Sequence, residues 1–434
     1  MNTSRRGFLK GAAVLGGVAV LPDVSAADAG SRPDLVGKVW PGWTEGHFQL
    51  HSIYTGVGES MFLVFPDGTT MLLDCGDHPA INRGELAVPV LPGGGRHAGE
   101  WVARYVQRVN PSKDRVDYLV VSHFHSDHTG IGNWGAGMLR QGRHEYRLSG
   151  FAQAAEWLKF GRAVDRGWPN YDEPKPIGTP EERASLDLMR RLYARLAERD
   201  GLTVEKFRLG TSDQFVPLRG RSDGFAVRNI CANGKIVLPD GTVKDLYAER
   251  LKRNPKAWLN ENGMSLGMLF TYGRFSLFTA GDFSDQWQEG GGRRILTEEA
   301  LAAAVPRVNV AKVNHHGHHA MPRGLVKALS PQVWFSCVWD QLHNTADTMQ
   351  NLYEGSPASK AYPGIFPAER RWADRDAPWF GMVPESLHSG GHVIVDVPPG
   401  GKRYTVSVVS ARDESMKVVD AVEFAAARTD AEGV

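Results

Sequence analysis

Cysteine is scarce in this 434-residue chain, and charge imbalance and long apolar runs are scarcer still. Only Cys75, Cys231 and Cys337 occur. An odd count at such wide spacing argues against a disulfide framework, and none of the three has zinc-ribbon spacing, so they read as small buried residues. The formal net charge is +1, which leaves no global electrostatic footprint for nucleic acid. Past the N-terminus no segment is apolar and long enough for a membrane helix. Histidine is missing from one long interval, with none between His144 and His315. What is present, including 42% hydrophobic residues, supports a large core without covalent staples.

The N-terminus carries an address. Ser4-Arg5-Arg6-Gly7-Phe8-Leu9-Lys10 precedes an apolar stretch from Gly11 to Leu21 that is too short to span a bilayer comfortably. Small residues then offer cleavage after Ala26 or Ala29. This order reads as a twin-arginine export signal over residues 1–29, with the export machinery as a partner. The mature protein is expected to be periplasmic or secreted, with no stable membrane anchor. Such signals export proteins already folded.

The densest chemistry is His123-Phe124-His125-Ser126-Asp127-His128. It follows the apolar run Val116-Asp117-Tyr118-Leu119-Val120-Val121-Ser122 and ends in Thr129-Gly130. Three imidazoles and a carboxylate in six residues are borderline metal ligands, suited to zinc above all. A buried strand delivering them into a loop is what a rigid metal site needs. Two later motifs place further candidates straight after strands. Phe278-Thr279-Ala280-Gly281-Asp282 supplies a carboxylate, and Asn314-His315-His316-Gly317 supplies a histidine pair. Spacing alone does not decide which histidine of that pair is a ligand.

Residues 30–434 read as one domain with an insertion at about 141–255 and a C-terminal β-hairpin at about 391–409. Met61–Phe65 and Thr70–Asp74 flank the turn Pro66-Asp67-Gly68, and Glu100–Val109 reads as an amphipathic helix. In the insertion, Trp157, Trp168 and Tyr171 lie around Pro169, Pro174 and Pro176. A charged helix follows from about Pro180 to Arg199, with Leu186, Met189, Leu192 and Leu196 on one face. Either this segment roofs an active site or its aromatics pack it onto the body. From Ser265 strand signals return: Ser265–Tyr272 and Phe275–Thr279 around Gly273-Arg274, then Val308–Val313 and Val333–Val338. Gly391–Val397 and Tyr404–Val409 form the last hairpin.

His-x-His-x-Asp-His after an apolar strand resembles the signature of the metallo-β-lactamase superfamily. That resemblance implies an α/β fold, an αββα sandwich of two mixed β-sheets flanked by helices. It also implies a hydrolase with two divalent metal ions, zinc first, with manganese or iron as alternatives. Carried over, His123 and His125 hold one ion, Asp127 and His128 the other, and Asp282 bridges them. Aligning His-His-Gly on the family's Gly-His-x favours His316 as the last metal histidine, leaving His315 as its partner or a substrate contact. The empty interval after His144 is a departure, because most members carry another metal histidine there. His144 falls too early for that role and reads as structural. The first ion would then rest on His123, His125, Asp282 and solvent, or borrow a carboxylate or asparagine.

That departure resembles one branch. Asp74-Cys75-Gly76-Asp77, Asn260-Glu261-Asn262 before Ser265-Leu266, Ala280-Gly281-Asp282 and Lys312-Val313-Asn314-His315-His316-Gly317 look like the β-lactamase-like domain of the DNA-internalisation competence protein. The likeness runs from about residue 48 to 400, interrupted by the Gln141–Pro255 insertion, and implies phosphodiester substrates. Two positions depart from it: Tyr54-Thr55-Gly56-Val57-Gly58-Glu59 lacks the branch's first acid, and His318 replaces a serine.

The implied reaction is attack by a metal-activated water on phosphorus or carbonyl carbon, with Asp127 orienting the nucleophile. His315, His318 and His343 are the candidates for protonating the leaving group, with His319 as a further surface candidate. Asp74 and Asp77 either orient metal histidines or cap their loop. The leading expectation is an exported phosphodiester hydrolase acting on a small-molecule or other phosphodiester substrate. The alternatives are a lactonase or β-lactamase-like acyl hydrolase, and a non-catalytic ligand-binding protein on the same fold.

Overall fold

Both faces of the central strands are apolar, and both are covered. Every residue of Phe48–Ser52, Ser60–Val64 and Thr70–Cys75 is buried. Leu50, Met61, Leu63, Met71 and Leu73 enter one core, while Phe62, Val64 and Leu72 enter another on the opposite side. This is the period-two alternation of a pleated strand with packing on each face. A computed structural model describes residues 29–32, 34–78, 84–93, 95–132, 139–292, 294–366 and 373–427. The twin-arginine segment expected at residues 1–29 lies outside them except for Ala29.

Among the described residues the first sheet has ten strands. In spatial order they are Ala29–Ser31, Val418–Ala425, Arg403–Ser410, Gly391–Val397, Phe48–Ser52, Ser60–Val64, Thr70–Cys75, Arg115–Val120, Lys159–Asp165 and Thr203–Lys206. The last four run parallel. The second sheet has eight: Val243–Asp245, Lys235–Val237, Phe225–Ala232, Gly267–Tyr272, Phe275–Thr279, Val310–Lys312, Val333–Phe335 and Lys360–Tyr362. Its last four are parallel as well.

The two sheets meet face to face. Phe48 and Phe65 from the first pack on Phe225 from the second, with ring centroids 5.4 and 4.6 Å apart. Helices Ala98–Val109, Gly150–Ala154 and Pro180–Asp200 cover the outer face of the first sheet through Val102, Val106, Phe151, Met189, Leu192 and Leu196. Helices Thr297–Leu301, Arg323–Leu329 and Ala346–Gly355 cover the second through Leu301, Leu325, Val326 and Leu352. The architecture is the expected αββα sandwich of mixed sheets.

The stretch expected as an insertion, about 141–255, is woven into both sheets. It supplies Lys159–Asp165 and Thr203–Lys206 to the first and Phe225–Ala232, Lys235–Val237 and Val243–Asp245 to the second. Its helix starts at Pro180, as expected, where Thr179 and Glu182 form a reciprocal capping box, and ends at Gly201, whose φ is 75°. The edge strand Thr203–Lys206 escaped the sequence reading because it is short and partly polar: none of its residues is fully buried. At the C-terminal side, Gly391–Val397 pairs antiparallel with Arg403–Ser410, and a third strand, Val418–Ala425, pairs with the latter.

Candidate metal centre

Parallel strands deliver the chemistry, all from their C-terminal ends, where open α/β sheets place ligands. Asp74 ends Thr70–Cys75, and the His123–His128 loop follows Arg115–Val120. On the second sheet Asp282 follows Phe275–Thr279, His316 follows Val310–Lys312, and Trp339 and His343 follow Val333–Phe335. Three backbones interlock beneath the histidine loop. Glu59 N donates to Asp127 O at 2.8 Å, Gly76 N to Glu59 O at 2.9 Å, and Asp77 N to Ser126 O at 3.0 Å. A Cβ on Gly76 would stand 1.6 Å from Asp127 O, so only glycine admits this approach.

The inward atoms converge closely. His128 Nε2 lies 3.2 Å from Asp282 Oδ2 and 3.5 Å from Asp127 Oδ2. His316 Nε2 lies 3.0 Å from Asp127 Oδ2 and 3.2 Å from Asp282 Oδ2. Beside them, His123 Nε2 is 3.1 Å from His125 Nδ1 and 4.0 Å from Asp282 Oδ2. Ligand atoms of Glu59, His128, Asp282 and His316 all fall within 4.8 Å of one another, and all four residues are buried.

Each ring is held from behind. His128 Nδ1 donates to Asp74 Oδ2 at 2.8 Å, and Asp74 also accepts from the backbone and hydroxyl of Ser122. His316 Nδ1 donates to Cys337 O at 2.8 Å, so its Nε2 carries a lone pair in the neutral form. Trp339 Nε1 approaches that same nitrogen at 3.2 Å. Lone pairs facing two carboxylates at such distances repel unless a positive charge lies among them. Burial disfavours charge here, yet Asp282 and Asp127 push His316 up to about 9 and His128 well above its ordinary value. The same imidazoles hold Asp127 and Asp282 well below theirs. The carboxylates therefore demand cations, and a divalent ion meets that demand with the donor set zinc prefers. Asp282 Oδ1, buried without a hydrogen-bond partner, adds to the fit.

The remaining candidates fall in distinct places. Residues His315, His318 and His343 line an open cavity of ≈ 340 Å³ together with Asp127, Asp282 and Trp339. His343 stacks on His316 with centroids 4.7 Å apart. His315 turns from His316 to Asn262, whose Nδ2 is 3.1 Å from its Nε2. His319 is exposed and pairs with Asp347. His144 pairs with Glu198 at 3.3 Å. Asp77 accepts from Ser149 while Asp74 pairs with His128, so of the two acids Asp74 orients an imidazole and Asp77 fixes a loop. All three cysteines are buried thiols.

Sequence reasoning passed over four residues. Glu59 stands in the cluster although its motif was noted only for the acid it lacks. Lys312 sits 2.9 Å from Glu59 Oε2. Glu182 lies 3.5 Å from His125 Nε2. Glu261 is held by Arg166 at 2.6 Å and accepts from Phe124 N, which anchors the histidine loop. A sequence signal existed for Glu59, Lys312 and Glu261, which belong to the quoted motifs, and none for Glu182.

No helix among the described residues is long and apolar enough to cross a membrane. A family model described as the metallo-beta-lactamase superfamily matches residues 54–193, and one for the twin-arginine translocation pathway signal sequence matches residues 2–22. The first match contains the His123–His128 loop and ends before Asp282 and His316, which the fold alone brings to that loop. No curated protein matches the chain. The chain thus carries a metallo-β-lactamase superfamily domain behind a twin-arginine signal sequence that directs its export.

Proposed function

We propose that the protein is an exported metal-dependent hydrolase of phosphodiesters. The observation that carries this reading is the convergence of two imidazole nitrogens and two carboxylate oxygens, 3.0–3.5 Å apart, in the wall of an open cavity. Asp127, His128, Asp282 and His316 would hold one ion, and His123 and His125 a second beside Asp282. When bound, such ions lower the pKa of water toward neutrality and neutralise charge gathering on a substrate oxygen.

The chain's own groups supply orientation and protons. Asp74 fixes the His128 ring so that Nε2 faces inward, and Cys337 O does the same for His316. His343 braces His316 by stacking. Burial lowers His315 to about 4, so it is a neutral imidazole in the cavity wall, and its Nε2 accepts from Asn262 Nδ2. His318, half-buried at the rim, is placed to give a proton to the leaving group. A wall rich in imidazole suits a phosphodiester better than an apolar acyl group, and the resemblance to the competence-protein branch points the same way.

The test is hydrolysis of a chromogenic bis-aryl phosphodiester by metal-loaded mature protein, beside a lactone, a β-lactam and an Asp127→Ala variant. Phosphodiester turnover that disappears in the variant supports the reading. Turnover of the lactone or β-lactam alone replaces it with acyl hydrolysis, and no turnover by folded, metal-loaded protein points to ligand binding without catalysis.

A further inference from the structure

The first metal position lacks a third imidazole. His123 Nε2 and His125 Nδ1 stand 3.1 Å apart, and no histidine between His144 and His315 exists to join them. The side chain of Asn262 lies in the same cavity as His125, Asp127 and Asp282. It is only 5% exposed, and its Oδ1 is buried with no hydrogen-bond partner. Its Nδ2 is spent on His315 Nε2 at 3.1 Å, which leaves Oδ1 on the opposite branch of the amide.

Asn262 is also tied to the loop that carries the two histidines. Its neighbour Glu261 accepts from Phe124 N at 3.1 Å and is clamped by Arg166 through two hydrogen bonds of 2.6 and 2.8 Å. The Asn262 backbone closes a short turn with Ser265 N at 3.0 Å. A rigid, buried carbonyl oxygen without a partner, on a side chain lining the same cavity as His125, is a built donor, and amide oxygen is a recognised ligand type for divalent ions.

We propose that Asn262 is the third protein ligand of the ion held by His123 and His125, its amide oxygen standing in for an imidazole. His315 is the positioning residue that holds the amide in this orientation. The inference rests on the reading of this site as a metal centre. A neutral amide oxygen in place of an imidazole makes this position weaker than its neighbour, which has two carboxylates, so the two ions bind in two steps.

Metal content of the full mature chain, measured by mass spectrometry after dialysis at graded free zinc, together with calorimetric titration, tests this. Wild type should retain one ion tightly and a second loosely. Asn262→Ala should lose the loose ion and keep the tight one, Asn262→His should tighten the loose one, and His315→Ala should weaken it by about 10–100-fold, as for groups that orient a ligand. Asn262→His also serves where the alanine variant fails to fold. An Asn262→Ala chain that keeps both ions or loses both, or an Asn262→His chain that binds the second no better, overturns the inference. Wild type that binds one ion only overturns it too, whereas wild type that binds none overturns the metal-centre reading itself.

Discussion

Replacing Lys312 with methionine strands one charge in the floor of the site. The ammonium is fully buried, 2.9 Å from Glu59 Oε2 and 3.7 Å from Asp282 Oδ1, and it donates to Gly281 O at 2.7 Å. Burial works against its charge, but Glu59 and Asp282 hold it above the ordinary lysine value, so it is an ammonium at neutral pH. Methionine keeps the stem and removes the charge. Removing one partner of a buried pair costs roughly 3–5 kcal/mol, because the other is left uncompensated, whereas removing both is often nearly neutral. Lys312→Met should therefore lower the unfolding free energy of chelator-treated protein by about 3–5 kcal/mol, and Lys312→Met with Glu59→Gln should regain most of it. Tryptophan fluorescence in urea reads both as midpoint shifts at constant slope. Added divalent metal should shrink the penalty of the single variant, since it returns positive charge to Glu59 and Asp282. A single-variant loss below about 1 kcal/mol, or a double variant no better than the single, refutes the reasoning.

Two further outcomes follow from other contacts. Asp74→Asn should leave the fold intact but loosen the His128 ring, lowering metal affinity about 10–100-fold in a competition titration with a chromogenic chelator; an unchanged affinity would leave Asp74 only a loop cap. Buried Glu298, which accepts from Met321 N and Asn314 Nδ2, is raised from 4.5 to about 7, chiefly by burial. Between those values the native state keeps a proton that the unfolded chain has released, so this group's contribution to stability falls as pH rises through the window. At about 1.4 kcal/mol per pH unit the loss is on the order of 3 kcal/mol. Glu298→Gln, always neutral, should gain on wild type from pH 5 to pH 8, and parallel stability curves would show that Glu298 does not titrate there.

How much of this could be read from the sequence depended on how locally each feature is encoded. The histidine loop was legible because its residues are adjacent and follow a strand whose burial is written in its own composition. The order of the strands after Ser265 was legible for the same reason. The choice of His316 over His315 was not, since consecutive residues share one spacing. The two rings part at a turn in which both adopt left-handed φ values, 49° and 52°, which aims one ring at Asp127 and the other at Asn262. Asn262 and Glu261 stand in a quoted motif, but the motif does not tell their roles, because their places depend on a loop more than a hundred residues away in sequence. Residues 141–255 misled for a related reason: Thr203–Lys206 pairs at the edge of a sheet with a partner already supported elsewhere, and needs no apolar alternation to do so.

The sandwich is closed differently at its two ends. At one, Phe48, Phe225 and Phe275 press the sheets together with interlocking rings near the turns of both sheets. At the other, the donors come half from one sheet, His123 to His128, and half from its partner, Asp282 and His316. The aromatic end is closed by packing alone, and the donor end is a catch that an ion shared between the sheets would fasten. At a thousandfold excess over its dissociation constant such an ion adds about 4 kcal/mol to the folded state. A twin-arginine signal commits this chain to leaving as a finished fold, so whether the catch is fastened before departure would bear on how much of the protein leaves at all.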